Sequence, residues 1–158
     1  MKWTVGTKIS LAFTAILGFV ILFGVLANVS MRELITSGEW RQHSYQVLNN
    51  LNQLLSQLQD AETGQRGYLL TGKESYLEPY SKAQHLIDEN LNSLLSLTKD
   101  NANQQQNIQM LKPVINDKLA ELKSTIDLYQ TGDKAGSLQL VNSDKGKKLM
   151  DDIRVMIG

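Results

Sequence analysis

Residues 47–80 read VLNNLNQLLSQLQDAETGQRGYLLTGKESYLEPY. Apolar side chains recur there at alternating steps of three and four: Leu48, Leu51, Leu55 and Leu58, with Val47, Leu54, Ala61 and Tyr68 beside them. That period marks one face of an amphipathic α-helix, and Asn, Gln and Asp occupy the other face. Thr71-Gly72 ends the pattern, since glycine is the preferred residue just past a helix end. Ser75 and Glu78 then stand at capping-box spacing to open a second helix. Pro79 falls in its first turn, where a missing N–H costs little. The stretch therefore predicts a helix, a tight turn and a helix running back.

The rest of the soluble part repeats this grammar. A second stripe holds Leu77, Tyr80, Ile87, Leu91 and Leu94. A third holds Ile108, Leu111, Ile115, Leu119, Leu122, Ile126 and Tyr129, and a fourth Leu138, Val141, Leu149, Ile153 and Met156. Lys99-Asp100-Asn101 is the second turn. Gly132 ends the third helix and Asp133 can cap the fourth. Pro113 is expected to kink the third. Gly136, Gly146 and Asn142-Ser143-Asp144 weaken the fourth, which can fall into two pieces. The expected helices cover about 30–71, 75–98, 102–131 and 133–157. Short loops between antiparallel helices make an all-α, up-down-up-down four-helix bundle.

Residues 9–29 read ISLAFTAILGFVILFGVLANV, with no charge between Lys8 and Arg32. About 20 apolar residues suffice to cross a hydrocarbon core. A cleaved signal peptide has a shorter apolar region followed by a small-x-small site. Val29 spoils such a site here, so the run reads as a transmembrane helix continuous with the first bundle helix. Lys2 and Lys8 precede it, which places residues 1–8 in the cytoplasm. Residues 30–158 are then extracytoplasmic, on the periplasmic side of an inner membrane. Gly6, Ser10, Thr14 and Gly18 recur every four residues, a spacing that lets two membrane helices approach closely and suggests a homodimer. The first helix reaches about 40 residues past the bilayer, roughly 60 Å, whereas the fourth has about 26, roughly 39 Å. Gly158 therefore reads as a break in a longer chain, with a second span and an output domain beyond it.

Composition narrows the function. The chain has 158 residues, 16 basic and 16 acidic, and no cysteine. Balanced charge gives no basic patch for nucleic acid. Without cysteine there is no disulfide framework, thiolate metal site or cysteine nucleophile. His43 and His85 lie on different helices with no ligand-spaced neighbours, and both read as solvated. Asp151-Asp152 reads as a solvated acidic pair. No phosphate loop or nucleophile elbow is present. No metal, cofactor or enzymatic activity is expected.

Residues 60–80 carry the remaining signal. Extending the stripe by four and three places Glu62 and Gln65 at the bundle seam. Gly64 and Gly67 each cost about 1 kcal/mol in a helix relative to Ala, which points to a packing or functional reason such as close helix approach. Arg66 lies four residues after Glu62, at ion-pair spacing. Asp60, Glu62, Gln65, Arg66 and Tyr68 form a polar layer that either fixes helix register or contacts a ligand, and the structural reading is preferred. Tyr68, Tyr76 and Tyr80 read as core caps.

The run Asp60-Ala61-Glu62-Thr63-Gly64-Gln65-Arg66-Gly67-Tyr68-Leu69-Leu70-Thr71-Gly72, followed by Tyr76-Leu77-Glu78-Pro79-Tyr80, resembles the signature of the third class of CHASE sensory domains. Thr131-Gly132-Asp133 and the stretch from Gly146 to Arg154 add to the resemblance. It implies an extracytoplasmic helical sensor ahead of a histidine kinase, nucleotide cyclase or chemoreceptor module, receiving an unidentified small-molecule or protein signal. The alternative is a membrane-anchored dimerisation or scaffolding bundle without a ligand. A bundle enzyme with a core metal would need inward Glu and Glu-x-x-His ligands, and none appears in the sequence.

Overall fold

A computed structural model describes residues 5–158, except the side chains of Lys8, Ser10, Ala12, Ala15, Thr36 and Glu39. Lys2, and the Lys8 and Ser10 side chains used in the topology and dimer readings, lie outside the described residues. The elements are α1 (Val5–Thr71), a 3₁₀ turn (Glu74–Leu77), α2 (Glu78–Leu97), α3 (Ala102–Gln130), α4 (Lys134–Asn142) and α5 (Lys145–Ile157). Among the described residues there is no strand, as an all-α chain requires. Two compact units divide between Ser44 and Tyr45.

In the first unit, α1 carries a stretch near the N-terminus long and apolar enough to cross a membrane. Residues 16–30 are all exposed. His43 is half-buried rather than solvated, with Trp40 edge-on at 6.1 Å.

The second unit is the bundle. Its core holds Leu54, Leu58, Ala61 and Tyr68 from α1, and Tyr80, Ala83, Ile87, Leu91 and Leu94 from α2. Ile108, Leu111, Ile115, Leu122 and Ile126 from α3 and Met150 and Ile153 from α5 complete it. The second and third stripes thus sit as expected. The first is rotated: Leu48 is 56% exposed, Leu51 and Leu55 are only partly buried, and Leu54 is fully buried. The seam runs Val47, Leu54, Leu58, Ala61, Gln65, Tyr68 because small and polar residues share it. In the fourth stripe Leu138 is exposed and Val141 and Leu149 are half-buried, while Ser137, Gly146, Met150 and Ile153 turn inward.

The ends follow local chemistry. Gly72 (φ +68°) and Gly132 (φ +92°) turn the chain after α1 and α3 in the left-handed region that glycine adopts freely. Asn101 caps α3 by accepting from the Gln104 N–H at 3.1 Å, and Asp133 caps α4 by accepting from the Gly136 N–H at 2.8 Å. The Gln105 amide donates to Leu95 O and Thr98 Oγ1, both at 2.7 Å, and ties α2 to α3. The expected fourth helix is two, α4 and α5, broken at Asp144 with φ 59°. Pro113 lies exposed within α3, and the helix runs through it.

The Ser75–Glu78 capping box does not form. Residues 74–77 make a 3₁₀ turn, and α2 starts at Glu78 with no side-chain cap. Close approach to α1 accounts for this. A Cβ at Gly64 would lie 2.5 Å from Tyr76 O, and one at Gly67 would lie 2.5 Å from Tyr76 Cδ1. The two glycines let the turn press onto α1 more tightly than a capped helix start would allow. Tyr76 is consequently 44% exposed and lies over Gly67, whereas Tyr68 and Tyr80 are buried.

Candidate functional site

Lys118 lies three residues after Ile115 and four before Leu122, so the α3 stripe carries it inward. Only 1% of its side chain is exposed. A buried ammonium is tolerated when paired and hydrogen-bonded. Its Nζ donates to Glu121 Oε2 at 3.0 Å and lies 3.4 Å from Glu62 Oε2 on α1. Glu121 is itself buried, and the Thr125 hydroxyl donates to Glu121 O at 2.9 Å and reaches Oε1 at 3.4 Å. From α5, Gly146 closes over the pair: a Cβ there would lie 2.7 Å from Glu121 Oε2 and 2.9 Å from Lys118 Nζ. A buried ion cluster therefore joins α1, α3 and α5.

Beside it is a cavity of about 80 Å³, bordered by Gln65, Lys118, Glu121, Asp144, Gly146 and Lys147. Gln65 is 2% exposed, and its Nε2 has no hydrogen-bond partner. At the neighbouring rim, Lys147 and Arg154 each contact Asp151 at 2.7 Å. The Lys147 hydrogen bond, with Arg154 beside it, holds the Asp151 carboxyl below its ordinary value, and the same hydrogen bond to Asp151 raises the Lys147 ammonium above its own.

The residues singled out in sequence are distributed unevenly around this cluster. Glu62 is half-buried and belongs to it. Arg66 pairs with Glu62 Oε1 at 2.6 Å, but its side chain is 59% exposed. Asp60 is exposed. Tyr68 is buried elsewhere, edge-on to Tyr129 at 5.1 Å. Ser75 is exposed, and Glu78 pairs with Lys82 at 2.6 Å, which lowers its carboxyl on the surface. Gly72, Gly132 and Asp133 serve the turns. Sequence reasoning missed Lys118, Glu121 and Thr125, and read Gly146 as a weak point of the fourth helix and part of the family stretch without its contact to the pair. The available signal was Lys118 standing on an otherwise apolar stripe, with Glu121 three residues on.

A second, open groove of about 800 Å³ lies between α1 and the 3₁₀ turn with α2, bordered by Gly64, Gly67, Leu70, Tyr76, Pro79 and Lys82. Among the described residues no group of His, Asp or Glu could hold a metal ion. The buried cluster consists of mutually satisfied charges and one unsatisfied amide, an arrangement suited to holding and binding.

The bundle is similar to the crystal structure of the Rhodopseudomonas palustris histidine kinase HK9 sensor domain. The TM-score is 0.65 at 24% identity, over 70% of this chain and 87% of that one. No curated protein matches the chain. The CHASE3 domain model matches residues 37–158, the whole bundle and the α1 segment leading into it. The chain therefore belongs to the CHASE3 domain family and forms a sensory input domain of a signalling receptor.

Proposed function

We propose that the chain is the periplasmic input of a bacterial inner-membrane histidine kinase, with its N-terminus in the cytoplasm and no catalytic role of its own. The observation that carries this reading is the CHASE3 match over residues 37–158, which begins a short segment after the uncharged run 9–29. The histidine kinase sensor domain of similar fold supports that output over a cyclase or chemoreceptor. Such a receptor works as a pair, for which the face with Gly6, Ser10, Thr14 and Gly18 is suited. A signal reaches the bundle, and a small shift or rotation of its helices is passed to the output. The polar layer around Glu62 and Lys118 holds the helices in register against one another.

The scaffold alternative makes the bundle a passive spacer. A chimera that places a second span and a histidine kinase core after Gly158 separates the two. Variants that disturb the polar layer and keep the fold, such as Glu62→Gln, should change basal autophosphorylation on the order of fivefold or more, the range of ordinary allosteric coupling. Identical phosphorylation in folded variants and wild type would leave the bundle a spacer.

A further inference from the structure

The cavity beside Gln65 has bonding capacity that the ion cluster does not use. The carboxylate oxygens of the buried ion cluster are engaged, while Asp144, also at its border, is exposed. Glu62 Oε1 is held by Arg66 at 2.6 Å and Oε2 lies 3.4 Å from Lys118. Glu121 Oε2 accepts from Lys118 at 3.0 Å, and Oε1 meets the Thr125 hydroxyl at 3.4 Å. What remains buried there is donors. Gln65 Nε2 is buried with no partner, and buried polar groups in folded proteins nearly always have one. Lys118 has three N–H donors and these two carboxylate partners.

Gly146, in the first turn of α5, borders the cavity, and α5 has no side-chain cap. The Lys145 N–H is met by the Ser143 hydroxyl at 3.3 Å; the N–H groups that follow it and the positive end of the helix dipole favour a negative acceptor. The charges around the cavity balance: Glu62, Glu121 and Asp144 against Arg66, Lys118 and Lys147. A multiply charged anion is therefore disfavoured. A water needs roughly 10–15 Å³ of such space, so about 80 Å³ admits a molecule of a few heavy atoms.

We propose that this cavity is a binding site for a small monocarboxylate of formate or acetate size, held by Gln65 Nε2, Lys118 Nζ and the first turn of α5. The occupant bonds to α1, α3 and α5 at once. That gives the sensory reading, on which the inference rests for its consequence, a ligand class. The oxygens of the carboxylate satisfy the Gln65 amide, and its small body leaves Gly146 in contact with Glu121 and Lys118.

The test reads binding on the whole 158-residue chain in detergent micelles, so it can fail while the receptor assay succeeds, or the reverse. Thermal unfolding is followed in sodium formate or acetate against sodium pivalate at equal ionic strength. Formate and acetate should raise Tm by about 3–6 °C at roughly ten times their Kd. Pivalate, too bulky for the cavity, should not. Gln65→Leu removes the unsatisfied amide and should abolish the shift. In the unmodified chain, saturation-transfer NMR should carry magnetisation from protein to the formate proton, which guards against a variant that fails to fold. No shift, an equal shift in pivalate, a shift retained in a folded Gln65→Leu variant, or no transfer to formate would each overturn the site.

Discussion

At Lys118 an ammonium sits with 1% of its side chain exposed, three residues from Glu121 and across the seam from Glu62. Arg66 makes the shorter contact to Glu62, at 2.6 Å, but from solvent. Burial decides which matters for stability. Removing one member of a buried pair leaves an uncompensated charge and costs about 3–5 kcal/mol, whereas an exposed pair is worth about 0–1 kcal/mol. Lys118→Met should therefore lower unfolding free energy by about 3–5 kcal/mol. Arg66→Ala should lower it by about 1 kcal/mol or less. Denaturant unfolding of both variants checks the order, and equal losses would mean that the cluster is not the anchor.

The two signature glycines offer a second comparison. Replacing either with Ala gains about 1 kcal/mol of helix propensity. At Gly64 the new Cβ meets the backbone oxygen of Tyr76, which cannot swing away, and overpacking costs about 1–3 kcal/mol. At Gly67 it meets the ring of Tyr76, a 44% exposed side chain and not backbone. Gly64→Ala should lower Tm more than Gly67→Ala does. The reverse order would mean that the turn does not press on α1 at Gly64.

Among the elements, α1 shows how a stripe is placed. An apolar count favours Leu48, Leu51, Leu55 and Leu58, while the folded helix buries Leu54 and Leu58 fully and leaves Leu48 56% exposed. The rotation brings Leu54, Ala61 and Tyr68 fully to the seam beside Gln65, which the simpler stripe also places there, and with them the approach of α3 and α5. Leu54→Ala should destabilise by about 2–5 kcal/mol. Leu48→Ala should stay within about 0.5 kcal/mol, as at an exposed position. Equal losses would return the helix to the simpler phase. The break between α4 and α5 belongs to the same scale. Gly136, Gly146 and residues 142–144 weaken a continuous helix, and the break sets the first turn of α5, with no cap from the Asp144 side chain, beside the buried charges.

For the whole molecule, the first prediction is topological. The uncharged run 9–29 precedes a bundle whose loops carry Gly72 and Gly132. Reporter fusions at those two turns should both report the extracytoplasmic side. A cytoplasmic report from either would sink the orientation and with it the periplasmic reading.

The all-α class, the turns at Gly72 and Gly132, the Asp133 cap and the family signature were legible in sequence. They depend on neighbours within a few positions: helical period, glycine's left-handed freedom and a side chain reaching its own helix end. The phase of α1, the 3₁₀ start before α2 and the cluster of Lys118, Glu121 and Gly146 with Glu62 were decided by tertiary structure. Each needs residues far apart in the chain to meet. Tyr76 can displace a capping box only because α1 presents Gly64 and Gly67, and Lys118 can be buried only because carboxylates from two helices converge on it.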